Sequence, residues 1–183
     1  LVEDQSGFKV EEIKAPNELN HPMLAHSPNG ENRDPQSKID AFADFIRSGA
    51  GDSLDAAMFK FCYVDFTDGT DINEIFNYYK STMAALENEY PNVAFQHVTV
   101  PLRTLQGGWK GLVKKIIGRP VGVEDNKVRN EYNALIKSTY EADNIFDLAG
   151  YEYTYADGSK ELSTSKDSTN YALIPGLTYD GGH

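Results

Sequence analysis

The chain alternates between segments with strand character and segments with helix character, and this alternation limits the possible folds more than any other feature. The strand-like segments are residues 8–13, 56–66, 93–100 and 144–148. They are rich in β-branched, aromatic and other apolar side chains, and helix-like segments separate them. The order strand, helix, strand, helix, strand, helix, strand predicts an α/β fold in which parallel strands carry helices on both faces of the sheet.

Three helices have recognisable start signals. Asp34 precedes Pro35, and proline suits the first helical position because an N–H at that position has no partner within the helix. Asp71 precedes a second helix, and Glu74 three residues later completes the pattern of a capping box. Asp125 is expected to cap the third helix. These signals place the helices between the predicted strands.

Two further stretches lie outside this alternation. Residues 151–162 alternate around Asp157-Gly158, which predicts a hairpin. Residues 101–123 contain no acid and include apolar side chains at helical spacing, which predicts an amphipathic basic helix. This helix could attract an anionic or carbohydrate substrate, or it could be a surface helix with solvated lysines. Its basic residues are Arg103, Lys110, Lys114, Lys115 and Arg119.

Length and charge narrow the class of protein. The 183 residues predict one domain over 1–183, since the chain is too short for two full domains. The net charge of −11 argues against binding of nucleic acid, which needs a clustered basic face. No apolar run approaches the roughly 18 residues of a membrane-spanning helix. Cys62 is the one cysteine, so no internal disulfide can form, and its apolar neighbours predict a buried, inert thiol.

The chain ends in Asp180-Gly181-Gly182-His183, a sequence that can carry acid–base chemistry. A histidine that removes a proton from a hydroxyl group must be held in one tautomer, and a carboxylate at its other nitrogen does this. The two glycines allow a turn tight enough for both side chains to meet. Spacing alone leaves two interpretations open, a catalytic pair or a solvated polar tail.

Several motifs together resemble those of the SGNH/GDSL hydrolases, and more narrowly a group of bacterial SGNH-like proteins. The resembling stretches are residues 30–35, 37–40, 59–66, 98–102 and the closing Tyr179-Asp180-Gly181-Gly182-His183. The resemblance implies a flavodoxin-like, three-layer fold with a doubly wound parallel sheet. It also implies a serine-type ester hydrolase in which His183 is the general base and Asp180 orients it. The implied substrate is an acetyl or other short acyl ester of a glycan or a similar small molecule, with no cofactor or metal.

The nucleophile that the resemblance implies is a serine directly after the first strand of the sheet. Gly51-Asp52-Ser53-Leu54 spells the family's motif, but it precedes the strand expected at 56–66. Ser53 is therefore expected at the amino end of the sheet, far from His183, and is disfavoured as the nucleophile. By the resemblance, residues 8–13 are the second strand, and the serine is expected upstream of Leu1. The family's helix after the histidine is likewise expected beyond His183.

The resemblance also implies donors for the negatively charged oxygen that forms during acyl transfer. Gly30 matches the family's glycine position, and Asn32 is a neighbouring donor. The family's Gly-x-Asn-Asp block falls at residues 62–65, where Asp65 matches but Val64 stands in place of asparagine. Asp65 is therefore either a site residue or a capping or loop carboxylate. Either Asn32 substitutes as the donor, or the site is weaker than in the family.

Two other function classes stay open at this point. A non-catalytic domain that binds carbohydrate or another ligand can share the same fold, and so can a flavodoxin-like scaffold without acyl chemistry. His26 and His97 have no partners at metal-ligand spacing, and His97 within a strand is expected to be a packed histidine. The start at Leu1 without methionine fits an exported protein after removal of an N-terminal segment, and it equally fits a shortened chain. The oligomeric state is left open.

Overall fold

The computed structural model describes residues 10–104, 122–164 and 169–179. Helices and strands alternate from Pro35 to Phe146 as the sequence predicts, and β2 at Leu24–His26 is a strand that the sequence did not predict. The elements are β1 Val10–Glu12, β2 Leu24–His26, α1 Pro35–Arg47, β3 Ala56–Phe59, α2 Ile72–Glu89, β4 Ala94–Val98, α3 Val123–Thr139, β5 Ile145–Phe146, α4 Leu148–Tyr153, β6 Leu162–Thr164 and β7 Thr169–Tyr171. Residues 105–121 of the amphipathic stretch predicted at 101–123, and the pair Asp180 and His183, lie outside the described residues.

Parallel pairing dominates the sheets. β3, β4 and β5 form a three-stranded parallel sheet in that order, with Phe59 beside His97 and His97 beside Ile145. β1 and β2 form a second, two-stranded parallel sheet. β6 and β7 form a short antiparallel pair. The chain is therefore a mixed α/β protein with parallel sheets, an arrangement compatible with a three-layer fold.

The core lies between one face of the β3–β4–β5 sheet and helices α1, α2 and α3. The ring of Phe42 on α1 lies 4.8 Å from that of Phe59 and 6.4 Å from that of Phe95. Tyr132 on α3 is fully buried, and its ring lies 5.8 Å from that of Phe76 on α2. On the opposite face of the sheet, Met58 and Phe146 are 55% and 45% exposed. The third layer, with helices on both faces, stays a prediction.

Local capping signals form as expected. The Asp34 carboxylate accepts a hydrogen bond from the Ser37 N–H at 3.0 Å, and Asp71 accepts from the N–H groups of Asn73 and Glu74. α3, in contrast, begins at Val123, two residues before the expected cap Asp125. Gly122 precedes it with a φ of 90°, so a glycine rather than an acid starts this helix.

The predicted strands are shorter than expected, most of all the one at 56–66. The run at 56–66 is a strand only to Phe59, because the chain then turns and Tyr63–Asp65 forms a 3-10 helix. Among its later residues, Phe61 and Phe66 are buried in the loop, whereas Cys62, predicted to be a buried thiol, is only partly buried.

The hairpin at 151–162 is confirmed from Tyr153 to Glu161, because Thr154 pairs with Lys160 in an antiparallel bridge and the Tyr155 N–H bonds to the Ser159 carbonyl at 2.9 Å. Residues 151–153 instead complete α4. Ala149 and Tyr153 of this helix pack against Leu102 and Leu173, which form a second, smaller apolar cluster.

No helix in the described parts of the chain is long and apolar enough to cross a membrane.

Candidate functional site

The loops that follow β3, β4 and β5 meet at one edge of the parallel sheet, where ligands bind in folds of this kind. Thr99, directly after β4, donates from its hydroxyl to Asp147, directly after β5, at 3.2 Å. The same hydroxyl accepts a hydrogen bond from the Ala149 N–H at 2.9 Å. These bonds tie the two loops together, so the carboxyl edge of the sheet is a continuous surface.

Asp65 is the centre of a buried polar cluster at this edge. Its carboxylate accepts hydrogen bonds from the N–H of Arg33 at 2.8 Å and the N–H of Cys62 at 2.7 Å. It also accepts from the ammonium of Lys38 at 2.7 Å, and its side chain has no exposed surface. Arg33 has a φ of 69°, a strained value that its bond to Asp65 holds in place. Asp65 therefore organises the site and is shielded from any ligand.

Lys38 connects Asp65 to Asn32. It lies in the first turns of α1, is 5% exposed, and donates to the Asn32 Oδ1 at 3.0 Å as well as to Asp65. Sequence reasoning missed this residue. A signal was present, since Lys38 precedes Phe42 by four residues and so shares the buried face of the helix. A lysine on that face requires a buried partner of opposite charge.

Asn32 presents an amide donor at the surface. Because an ammonium group can only donate hydrogen bonds, the amide oxygen of Asn32 must face Lys38. Its Nδ2 group then points away from Lys38, on an exposed residue, with no acceptor among the described residues. The structure thus brings together three of the sequence-predicted site residues, Gly30, Asn32 and Asp65, through a lysine that was not predicted.

Gly30 is required by a close backbone contact. Its φ is 60°, and a Cβ atom at this position would lie 2.6 Å from both the N and the Cα of Lys38. The neighbouring Asn29 donates from its side chain to the Lys38 carbonyl at 3.0 Å. Both contacts press the loop against the start of α1, so any larger residue at position 30 must displace backbone.

The other sequence-predicted residues do not join this cluster. Ser53 follows a 3-10 helix at Ala50–Asp52 and precedes β3, so it lies at the amino end of the sheet, as expected. Val64 occupies the 3-10 helix next to Asp65, where its side chain offers no donor. His97 is 1% exposed and bonded through Nδ1 to the Tyr79 hydroxyl at 2.8 Å, which confirms the packed histidine.

Two asparagines of α3 hold the segment after β4. Asn133 accepts from the Val100 N–H at 2.7 Å and donates to the Val100 carbonyl at 2.9 Å. Asn126 makes the same pair of bonds to the backbone of Arg103, at 3.0 and 2.7 Å. The two side chains are seven residues apart and so lie on one face of the helix. Their bonds fix the loop that carries Arg103.

Arg129 and Arg103 both lie against the ring of Tyr63, with guanidinium carbons 5.7 and 4.9 Å from the ring centre. Arg129 is 1% exposed, donates from Nε to the Tyr63 carbonyl at 2.8 Å, and donates from Nη1 to Asn126 at 2.7 Å. Burial lowers the pKa of Arg129 to about 10, so it stays charged at neutral pH. Sequence reasoning missed this cluster.

Glu152 on α4 lies beside the same edge. Its carboxylate accepts a hydrogen bond from the Leu102 N–H at 2.7 Å, and the residue is 8% exposed. Burial raises the pKa of Glu152 to about 7, although the Leu102 bond and the charges of Lys60 and Arg129 oppose the rise. A carboxyl group that titrates near neutral pH can exchange a proton there.

One small cavity of about 100 Å³ borders the loops after β4 and β5, because Asn133 in its lining binds the Val100 backbone and Ala149 binds Thr99. It is lined by Asn130, Asn133, Ala134, Lys137, Ala149, Tyr153 and Tyr171. Tyr153 and Tyr171 in its lining stack on each other with ring centres 4.0 Å apart, and small-molecule sites are usually about 300 Å³ or more. None of the sequence-predicted site residues within the described ranges lines this cavity, so the cluster around Asp65 is the better candidate site.

Comparison with known proteins adds no family assignment: no family model matches the chain, and no similar sequence is found among the curated proteins.

Proposed function

We propose that the chain is a serine-type ester hydrolase domain of the SGNH/GDSL type, which removes an acetyl or other short acyl group from a glycan or similar small molecule. The observation that carries the proposal is the 3.0 Å contact between Lys38 Nζ and Asn32 Oδ1. This contact turns an amide donor outward at the carboxyl edge of a parallel sheet. Acyl transfer needs such donors at the oxygen that becomes negative.

The sequence supplies the remaining support. Asp180 and His183 match the closing motif of the family that the chain resembles. In the proposed reaction a serine hydroxyl attacks the ester carbonyl while His183 accepts its proton and Asp180 orients the imidazole. His183 then donates that proton to the leaving alcohol. Water attacks the acyl-serine while His183 accepts its proton, and His183 returns the proton to the serine as the acid leaves. Ser53 lies at the opposite end of the sheet and is not the proposed nucleophile.

The test measures hydrolysis of p-nitrophenyl acetate and release of acetate from an acetylated xylan by the complete protein. We expect Asn32→Ala to lower kcat about 10²–10³-fold with little change in KM, since its donor acts mainly in the transition state. We expect His183→Ala to abolish turnover. Asn88→Ala is the matched control, because Asn88 is an exposed asparagine on α2 that bonds only within its helix.

Full activity in Asn32→Ala, with a folded protein by circular dichroism, contradicts the role of Asn32 as the donor. Full activity in His183→Ala contradicts the catalytic pair. Absence of any turnover by the complete wild-type protein on either ester contradicts the hydrolase itself.

The alternative is a non-catalytic domain that binds carbohydrate or another ligand, and Val64 is the observation that favours it. The family pattern has an asparagine donor at this position, which valine cannot replace. Binding of an acetylated oligosaccharide without turnover, measured by calorimetry with the wild-type protein, would favour this alternative.

A further inference from the structure

The guanidinium of Arg103 has no protein acceptor in the described parts of the chain. Its Nε atom is enclosed by the protein and makes no hydrogen bond there. Its backbone N–H and carbonyl are both bonded to Asn126, so the position of the residue is fixed. The ring of Tyr63 lies 4.9 Å from the guanidinium carbon and supports the side chain from one side. Polar groups enclosed by protein normally form hydrogen bonds, so the unused N–H donors of Arg103 require an explanation.

No ion pair joins Arg103 to a carboxylate in the described parts of the chain. Asp125 instead lies 3.8 Å from the guanidinium of Arg129 and accepts a hydrogen bond from the Asp68 N–H at 3.0 Å. Glu152 accepts a hydrogen bond from the Leu102 N–H at 2.7 Å.

A second positive charge lies beside the same ring. The guanidinium carbon of Arg129 is 5.7 Å from the centre of the Tyr63 ring, and Arg103 lies close enough to lower the pKa of Arg129. Two guanidinium groups held against one ring repel each other, unless a ligand of opposite charge joins them.

We propose that Arg103 binds an oxyanionic group, a carboxylate or a phosphate, on the molecule that occupies the carboxyl edge of the sheet. Arginine suits this chemistry, because its planar fork of N–H donors matches two oxygens of a carboxylate or phosphate at once. Tyr63 belongs to the loop that also carries Asp65, so the anion site borders the cluster around Lys38 and Asn32. If the proposed hydrolase function holds, the inference names its substrate class as an anionic ester.

The test is a ¹⁵N NMR titration of the full chain with inorganic phosphate and, separately, with acetate, at constant ionic strength. We expect a saturable shift of the Arg103 Nε–H signal with at least one of these anions. We expect Arg103→Gln to weaken that anion's binding at least tenfold, measured on backbone amides near Tyr63. Arg47→Gln is the matched control, since Arg47 already forms two hydrogen bonds with Glu89, and it should change the affinity less than twofold.

Arg103→Lys provides a second variant, because it keeps the charge beside Tyr63 and removes the fork; we expect it to weaken binding at least threefold. The stronger of the two anions identifies the group that the site recognises. No saturable shift with either anion, or equal affinity in wild type and Arg103→Gln, overturns the proposal. These outcomes are independent of ester turnover, so an arginine-dependent titration without hydrolysis supports the anion site and counts against the hydrolase.

Discussion

The ammonium of Lys38 and the carboxylate of Asp65 form a buried ion pair, with the nitrogen and oxygen 2.7 Å apart and side-chain exposures of 6% and 0%. The pair joins the start of α1 to the loop that follows β3. Such a pair adds little net stability compared with apolar packing, because desolvation of both charges offsets their attraction. Its effect here is positional, since the same ammonium also holds the amide of Asn32.

Removal of one partner of this pair should be strongly destabilising. We expect Lys38→Met to lower the free energy of unfolding by about 3–5 kcal/mol, since it leaves the Asp65 carboxylate buried without a counter-charge. Urea denaturation at pH 7 measures the change. Arg47→Gln is the control, because the Arg47–Glu89 pair is exposed and should contribute no more than about 1 kcal/mol. A cost below that of the control would show that Lys38 is dispensable for packing.

Gly30 should tolerate no side chain. We expect Gly30→Ala to lower the free energy of unfolding by more than about 2 kcal/mol, because its Cβ would meet the backbone of Lys38 at 2.6 Å and its φ is positive. Gly158→Ala separates the two causes, since Gly158 has a φ of 86° but open space around it. That variant should lose only about 1–2 kcal/mol. Equal losses in thermal or urea denaturation would mean that the contact with Lys38 is unimportant.

Glu152 should destabilise the protein as pH rises. Its pKa is about 7 in the folded protein and 4.5 without burial, so the unfolded chain ionises first. No penalty exists below pH 4.5, and it grows between pH 4.5 and 7 to at most about 3 kcal/mol. We therefore expect Glu152→Gln, which keeps an acceptor for the Leu102 N–H, to be more stable than wild type at pH 7.5 and not at pH 4. A wild-type advantage at pH 7.5 in urea denaturation would contradict this.

His97 should act in the opposite direction, because burial lowers its pKa to about 4 from 6.5. Its contribution to the free energy of unfolding is complete above pH 6.5. As pH falls towards 4, the unfolded chain is protonated first and up to about 3 kcal/mol of this stability is lost. The groups that face it are the Tyr79 hydroxyl at 2.8 Å, the stacked Tyr140 ring at 3.4 Å and Glu87 at 3.7 Å.

The measurement compares the free energy of unfolding of wild type and His97→Asn at several values of pH between 4 and 7. We expect the variant to be the less destabilised of the two by acid, whatever the loss from altered packing. His26→Asn, at an exposed position, reports the effect of the same substitution outside the core. Parallel curves for wild type and His97→Asn would show that His97 does not take part in the acid response.

Local signals predicted the frame of the fold because they depend on residues close together in the chain. Asp34 and Asp71 cap helices through N–H groups two or three residues away, and both caps form. The end of β3 was harder to predict. Residues 61–64 are as apolar as the strand before them, and the Asp65 carboxylate that turns the chain at Cys62 is itself held by Lys38, 27 residues away.

In the candidate site, too, some features followed from the sequence and others depended on contacts between distant residues. The positions of Gly30, Asn32 and Asp65 followed from a resemblance of motifs, and the structure brings these residues together. The part played by Lys38 did not follow, because a lysine in a helix is ordinarily solvated. The cluster of Tyr63 and Arg129 was missed because its two members are 66 residues apart and meet only when α3 packs beside the sheet.

The sequence by itself determined the order of strands and helices, the caps of α1 and α2 and the acidic balance of the chain. These properties depend on backbone preferences, side-chain periodicity and composition, which act within a few residues. Only the tertiary structure decided that Lys38 contacts Asp65 and Asn32, and that Arg129 donates to the Tyr63 carbonyl. It also decided that the Nε of Arg103 has no acceptor among the described residues. These contacts join residues that are distant in the chain and meet only in the folded interior. There, a buried charge is costly unless another group pairs with it.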